Sequence, residues 1–215
     1  MNAPRSRHGR PQHGEITRAL LRGRTQQAWT GTAVRDAAVA AATRGWPVVP
    51  GTYTVGVSGR WYGREGASGL CPVDGNWAGR GVTEWSEAHA MWTRRPYGVL
   101  LVCGRGVDAL ELPTSLAQDV FPALGEAGLA GPIVALHPAR WVLLVASGPG
   151  PVPKLGAWPS VTYRGPGHWV PLPPSDLGHT RARWHVRPPT DEPLTLPPSP
   201  AVQAVVIDAL GGGGC

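Results

Sequence analysis

The sequence predicts an α+β fold, a mainly antiparallel sheet with helices packed on it. Three observations lead there. Apolar residues recur at helical spacing in a few separate stretches, and the segments between hold short apolar runs bounded by glycine and proline, the pattern of strands. Two pairs of those runs are joined too tightly for a crossover helix: "YGVLLV" to "VDALEL" through "CGRG", and "PIVAL" to "RWVLLVA" through "HPA". No regular alternation of strand and helix runs through the chain, so barrel and doubly wound architectures do not fit.

In chain order, "AWTGTAVRDAAVAAATRG" puts Trp29, Ala33, Val34, Ala37, Ala38 and Ala41 on one helical face and stops at Gly45. "WPVVP" follows as a short strand. Residues 51–82 are dense in glycine without a sustained period, and are expected to be loops with at most one hairpin. "TEWSEAHAMWTRRP" is a helix capped by Thr83, with Trp85, Ala88 and Trp92 on its apolar face and Arg94 and Arg95 suited to the negative end of its dipole. After the strands "YGVLLV" and "VDALEL", "TSLAQDVFPALGEAG" is a helix capped by Thr114 or Ser115, the latter at capping-box spacing from Gln118. Pro122 is expected to kink or shorten it.

The hairpin "PIVAL"–"RWVLLVA" comes next, then strands at "SVTYRG", "HWVPL" and "RARWHV". A Pro-rich linker, "PPTDEPLTLPP", leads to the helix "SPAVQAVVIDALGG", with Ser199 as N-cap, Pro200 in the first turn and Gly211 at the end. Its stripe of Val202, Val205, Val206, Ala209 and Leu210 reads as a face docked on the core, with a partner-binding helix as the alternative. Three segments are expected: a basic tail over 1–24, a folded domain over 25–188, and the linker with the last helix over 189–215.

With 215 residues and 42% apolar content, one domain with a sizeable core is expected. The net charge of +6 comes almost wholly from arginine, because Lys154 is the only lysine. A G+C-rich coding bias explains most of that excess, although arginine is also the better residue for bidentate phosphate contacts. Six arginines against one acid, Glu15, in residues 1–24 read as a disordered tail, or as an arm drawn to nucleic acid by phosphate charge. Cys71, Cys103 and Cys215 form no C-x-x-C pair, which supports neither zinc nor a disulfide framework and suits a reducing cytoplasm. Cys103, in an apolar strand, reads as a small buried hydrophobe. No apolar run is long enough to span a bilayer, and "MNAPRSRHGRPQHGE" lacks the apolar core of a secretory signal. Among ten tryptophans, Trp46, Trp92, Trp141, Trp169 and Trp184 read as core fillers. Trp61, Trp77 and Trp158 lie in loop-like surroundings, open to stacking on single-stranded nucleic acid.

The succession "AAATRGWPVVP", "WTRRPYGVLLVCGRGVDALELP", "GPIVALHPARWVLLVA" and "VTYRGPGHWVPLPPS...RARW" resembles the bifunctional DNA primase/polymerase N-terminal (prim-pol) domain, of the archaeo-eukaryotic primase superfamily. The resemblance covers roughly residues 33–187, with 53–82 poorly matched, and is closest to small forms from high-G+C bacteria. It implies nucleotidyl transfer on nucleic acid, with nucleoside triphosphates and Mg²⁺ or Mn²⁺. Active members carry an Asp-x-Asp pair at the end of the strand that is "VDALELP" here. Residues two apart project from one strand face, about 7 Å apart, and two carboxylates there can hold the metals that align a primer hydroxyl with the triphosphate.

The matching positions in this chain are Glu111 and Pro113. Glu111 is the candidate metal ligand and catalytic acid; Pro113 can bind no metal. Asp108 is the second candidate catalytic acid, but it lies three residues from Glu111 and so on the opposite face of a regular strand, from which only a bulge, with no sign in the sequence, would rotate it back. The family's second motif, a turn followed by a histidine, falls on "HPARWVL", with Trp141 in the histidine's approximate place, His137 four residues earlier and Arg140 as a phosphate contact. The third places an acid before an Arg-Gly pair; "TYRG" keeps Arg164 and Gly165 but has Thr162 where the acid would stand. The Cys/His-rich insertion of many relatives is reduced to Cys71 and His89, too few for a zinc site.

The favoured function is therefore a catalytically degenerate prim-pol-like domain that binds nucleic acid or nucleotide through Arg105, His137, Arg140, Arg164 and Gly165. The alternatives are an active Mg²⁺- or Mn²⁺-dependent primase/polymerase in DNA replication, and a protein-interaction module that recruits a partner through its last helix or its tryptophans. The chain has no Walker-type G-x-x-x-x-G-K-[S/T] loop, so no helicase motor is attached within it.

Overall fold

The computed structural model describes residues 31–56, 59–136, 139–190 and 194–211. Helix α1 (residues 31–43) passes through Gly45, at a φ of 72° that glycine adopts without strain, into strand β1 (Val48–Gly51). The glycine-dense stretch holds one short hairpin, β2 (Tyr53–Thr54) with β3 (Trp61–Tyr62). Then follow α2 (Trp85–Arg94), β4 (Gly98–Val102), β5 (Val107–Pro113), α3 (Thr114–Glu126), β6 (Ile133–Leu136) and β7 (Arg140–Ala146). The remaining elements are β8 (Thr162–Arg164), β9 (Trp169–Leu172), β10 (Arg183–Val186) and α4 (Ser199–Gly211). The strands and helices expected from periodicity are thus present. The basic tail and the start of the first expected helix lie outside the described residues.

The strands form two antiparallel sheets besides the hairpin: three in the order β1-β4-β9, and five in the order β10-β6-β7-β5-β8. The fold is α+β. One core lies between the sheets and takes in α1 and α2, with Ala38, Trp46, Trp92, Leu101, Ala109 and Leu144 all buried. The other face of the five-stranded sheet is covered by α3 and α4, where Leu110, Leu112, Val120, Leu143, Val202 and Val206 pack together. Val205, Ala209 and Leu210 pack against the same cluster, so the α4 stripe is a core face. Gln203, fully buried in α4, donates to Gly150 O and accepts from Val152 N–H, which fastens the helix to the loop after β7.

β5 is central to this arrangement, and its alternation divides the two cores. Val107 and Ala109 face the first core, Leu110 and Leu112 the second. The turn before it, "CGRG", uses Gly104 and Gly106 at φ of 91° and 84°. A Cβ on Gly104 would meet Pro166 Cα at 2.7 Å, so this glycine lets the β4–β5 and β8–β9 turns lie against each other.

Several local expectations fail at the helix ends. Thr83 does not cap α2, whose N-cap is Glu84 with no side-chain hydrogen bond. Thr114 and Ser115 do not cap α3; Pro113 holds that position, and the Thr114 N–H is taken by Ala139 O. Ser199 is the first residue of α4, and its hydroxyl accepts from Gln203 Nε2 at 3.0 Å. Pro122 does not end α3, which continues to Glu126. Trp85, expected on the apolar face of α2, is 59% exposed because the first turn of the helix extends beyond the core that holds Ala88 and Trp92. Trp77 and Trp158, expected in open loops, are half-buried against core clusters, and Trp61 is half-buried too. Among the described residues no helix is long and apolar enough to cross a membrane.

Candidate functional site

The two acids of β5 point to opposite faces, and their surroundings differ in kind. Asp108 is 1% exposed and faces α3 and α4. Its Oδ1 accepts from Gly104 N–H at 2.7 Å, and its Oδ2 accepts from Tyr163 Oη–H at 2.6 Å and from Gly148 N–H at 3.2 Å. One carboxylate therefore joins the turn before β5, the loop after β7 and the neighbouring strand β8. Burial, then the hydrogen bond to Asp108, pushes the Tyr163 hydroxyl up to about 12, so it stays a donor at neutral pH. Nearby Cys103 is pushed up to about 12 by burial and by Asp108, which keeps it a protonated, unreactive thiol.

Glu111 projects from the other face, in line with Val107 and Ala109, where the core between the sheets opens. The register of the sheet sets two arginines beside it: β7 places Arg140 opposite Pro113, and β8 places Arg164 opposite Ala109. Arg140 Nε donates to Oε1 at 2.9 Å, while Arg164 Nε and Nη2 donate to Oε2 at 3.0 and 2.7 Å. Arg140 is anchored further through Ser160 O at 2.9 Å and the backbone oxygen of Glu111 at 3.2 Å. Burial alone would raise the Glu111 carboxyl, but the guanidinium groups of Arg164 and Arg140 outweigh it and hold the group below the usual carboxylate range. Two cations and one anion leave this cluster with one net positive charge.

A cleft of about 410 Å³ lies beside the cluster, between β9 and the Glu111 face of the five-stranded sheet. Glu111, Arg164 and His168 supply its polar side; Leu136, Trp169 and Leu177 are among its apolar lining. His168, in the β8–β9 turn with Nδ1 3.3 Å from Gly165 O, is a residue the sequence analysis passed over. Its signal was a histidine three residues after the Arg164-Gly165 pair, in the turn that leads into β9. Gly165 serves packing: a Cβ there would meet the Tyr163 ring at 2.7 Å. Arg105 stands apart, exposed, with Nη2 3.4 Å from Gly79 O. His137 lies outside the described residues.

The divalent ion implied by the family resemblance needs oxygen ligands that are free to bind it. Both carboxylate oxygens of Glu111 are occupied by guanidinium groups, Pro113 has no donor to offer, and Thr162 faces Glu111 across the sheet in the third motif's place. Among the described residues no group of three His, Cys, Asp or Glu side chains is placed to hold a metal ion. The residues present do not fit a two-metal centre. Comparison with known proteins gave no match to a curated protein or to a solved structure. The family model "Bifunctional DNA primase/polymerase, N-terminal" matches residues 38–201, which takes in every strand of both sheets and the whole Glu111 cluster. The chain belongs to the prim-pol family.

Proposed function

We propose that this chain is a prim-pol domain that has lost nucleotidyl transfer and acts by binding nucleic acid or nucleotide at the cleft beside Glu111. The observation that carries this reading is the pairing of Glu111 with Arg140 and Arg164. The one acid left of the family's metal-binding set is committed to two arginine side chains, which neutralise it and set two like charges beside any Mg²⁺ that it would hold. The net positive charge of the cluster instead favours phosphate. Asp108, the second catalytic candidate in the sequence, acts in this reading as a scaffold residue, since it is buried on the α3 and α4 side of the sheet and all three of its contacts are internal. Large exposed apolar side chains are limited, among the described residues, to Tyr62 and Trp85 on separate elements, which gives the interaction-module alternative no contiguous patch to use.

Primer extension with labelled nucleoside triphosphates in Mn²⁺ tests the reading. The expected result is no extension above background for the wild type or for Glu111→Ala, together with salt-sensitive binding of single-stranded DNA by both. Extension by the wild type that disappears in Glu111→Ala would establish the active enzyme in its place.

A further inference from the structure

We infer that the cleft recognises phosphate without a divalent cation, because Arg164, which lines it, supplies the positive charge that the family's metals supply elsewhere, while Arg140 behind it shares in neutralising Glu111. This rests on the proposed loss of catalysis and names the ligand class of the same site: a nucleotide held by its phosphates. In a metal centre built on carboxylates, the protein contributes negative charge and the ions reverse its sign before a phosphate can bind. Here the sign is already reversed. A metal ion reaching Glu111 would sit beside two guanidinium groups as a like charge, whereas a phosphate meets a surplus of cation.

The geometry adds direction to the charge. Arg164 spends Nε and Nη2 on Glu111, which fixes the plane of its guanidinium, while Nη1 has no hydrogen-bond partner among the described residues. Its side chain is 34% exposed and lines the cleft, so part of the group remains accessible to a ligand. Glu111 is thus a positioning residue: it holds together, on one face of the sheet, two cations that would otherwise repel each other. The rest of the cleft is mostly apolar, with Trp169, Leu136 and Leu177 available to a base or sugar. A cationic end and an apolar wall are complementary to a nucleotide.

Calorimetric titration of dATP, and separately of inorganic tripolyphosphate, into the full chain provides the test, each in EDTA and in excess Mg²⁺. The expected result is binding of both in EDTA, equal to or tighter than in Mg²⁺, because Mg²⁺ neutralises the phosphates before the arginines can. Arg164→Ala is expected to weaken dATP binding in EDTA by about tenfold or more, the worth of one charge-assisted hydrogen bond, with Arg164→Lys falling between. A thermal melt of each variant separates lost contact from lost fold. Binding of dATP that requires Mg²⁺ and vanishes in EDTA would overturn metal-free recognition and leave nucleotide binding standing. Binding of single-stranded DNA without dATP or tripolyphosphate would overturn this inference alone. No binding of any of the three would overturn the functional reading with it.

Discussion

Asp108→Ala is expected to destabilise the protein by about 3–5 kcal/mol, because a single carboxylate partners three donors in a site sealed from water on most sides. Each donor left unsatisfied costs about 1–3 kcal/mol, with Gly148 at the low end since it lies at the surface. Against the few kcal/mol that hold an ordinary domain folded, this is a large fraction. The midpoint of thermal unfolding should fall by roughly 10 °C. Asp108→Asn should recover part of the loss, since its amide oxygen still accepts while its NH₂ opposes a donor. Chemical or thermal unfolding measures both. A loss below about 1 kcal/mol would show that Asp108 is not the clamp between the two glycine loops and β8.

The Arg140→Ala/Arg164→Ala double variant is expected to invert the pH dependence of stability at acid pH. In the wild type the folded-state pKa of Glu111 is depressed below its unfolded value. The ion pairs therefore stabilise the fold above about pH 4.3, and that contribution is lost as the pH falls through the folded pKa. Without the arginines, burial is unopposed and the folded pKa rises above the unfolded one. The double variant then gains nothing from ionisation and loses stability as the pH climbs through its folded pKa. At neutral pH the half-buried, unpaired carboxylate should cost about 1–3 kcal/mol, less than for a sealed pair because both arginines are partly exposed. Denaturant midpoints across acid to neutral pH read the two slopes. Parallel slopes for wild type and variant would contradict the assigned pairing.

Much of the fold was legible because the strands announce themselves: "VLLV", "VDALEL" and "RWVLLVA" are apolar runs closed by glycine or proline, and each became a strand. Caps were not legible. A Ser or Thr before an apolar period caps only if it is the last residue outside the helix, and β5 runs on to Pro113, so that Thr114 is already the first helical residue. The two faces of β5 also followed from the sequence, since a separation of three positions puts Asp108 and Glu111 on opposite faces of a regular strand whatever surrounds them. What covers those faces did not follow. Arg140 and Arg164 meet Glu111 from 29 and 53 residues away, through the register of two long-range strand pairings. Both arginines stand out in the sequence as candidate nucleotide or nucleic-acid contacts, but nothing in it shows that they share one carboxylate. Tyr163 was passed over for the same reason: its hydroxyl matters only because β8 lies beside β5.

Arginine side chains, not metal ions, are expected to occupy Glu111 in solution. Titrating the full chain with Mn²⁺ and following water-proton relaxation measures this directly, with Glu111→Ala alongside. We predict superimposable curves and no site tighter than about 0.1 mM in either protein. A tighter Mn²⁺ site present in the wild type and absent from Glu111→Ala would contradict the account.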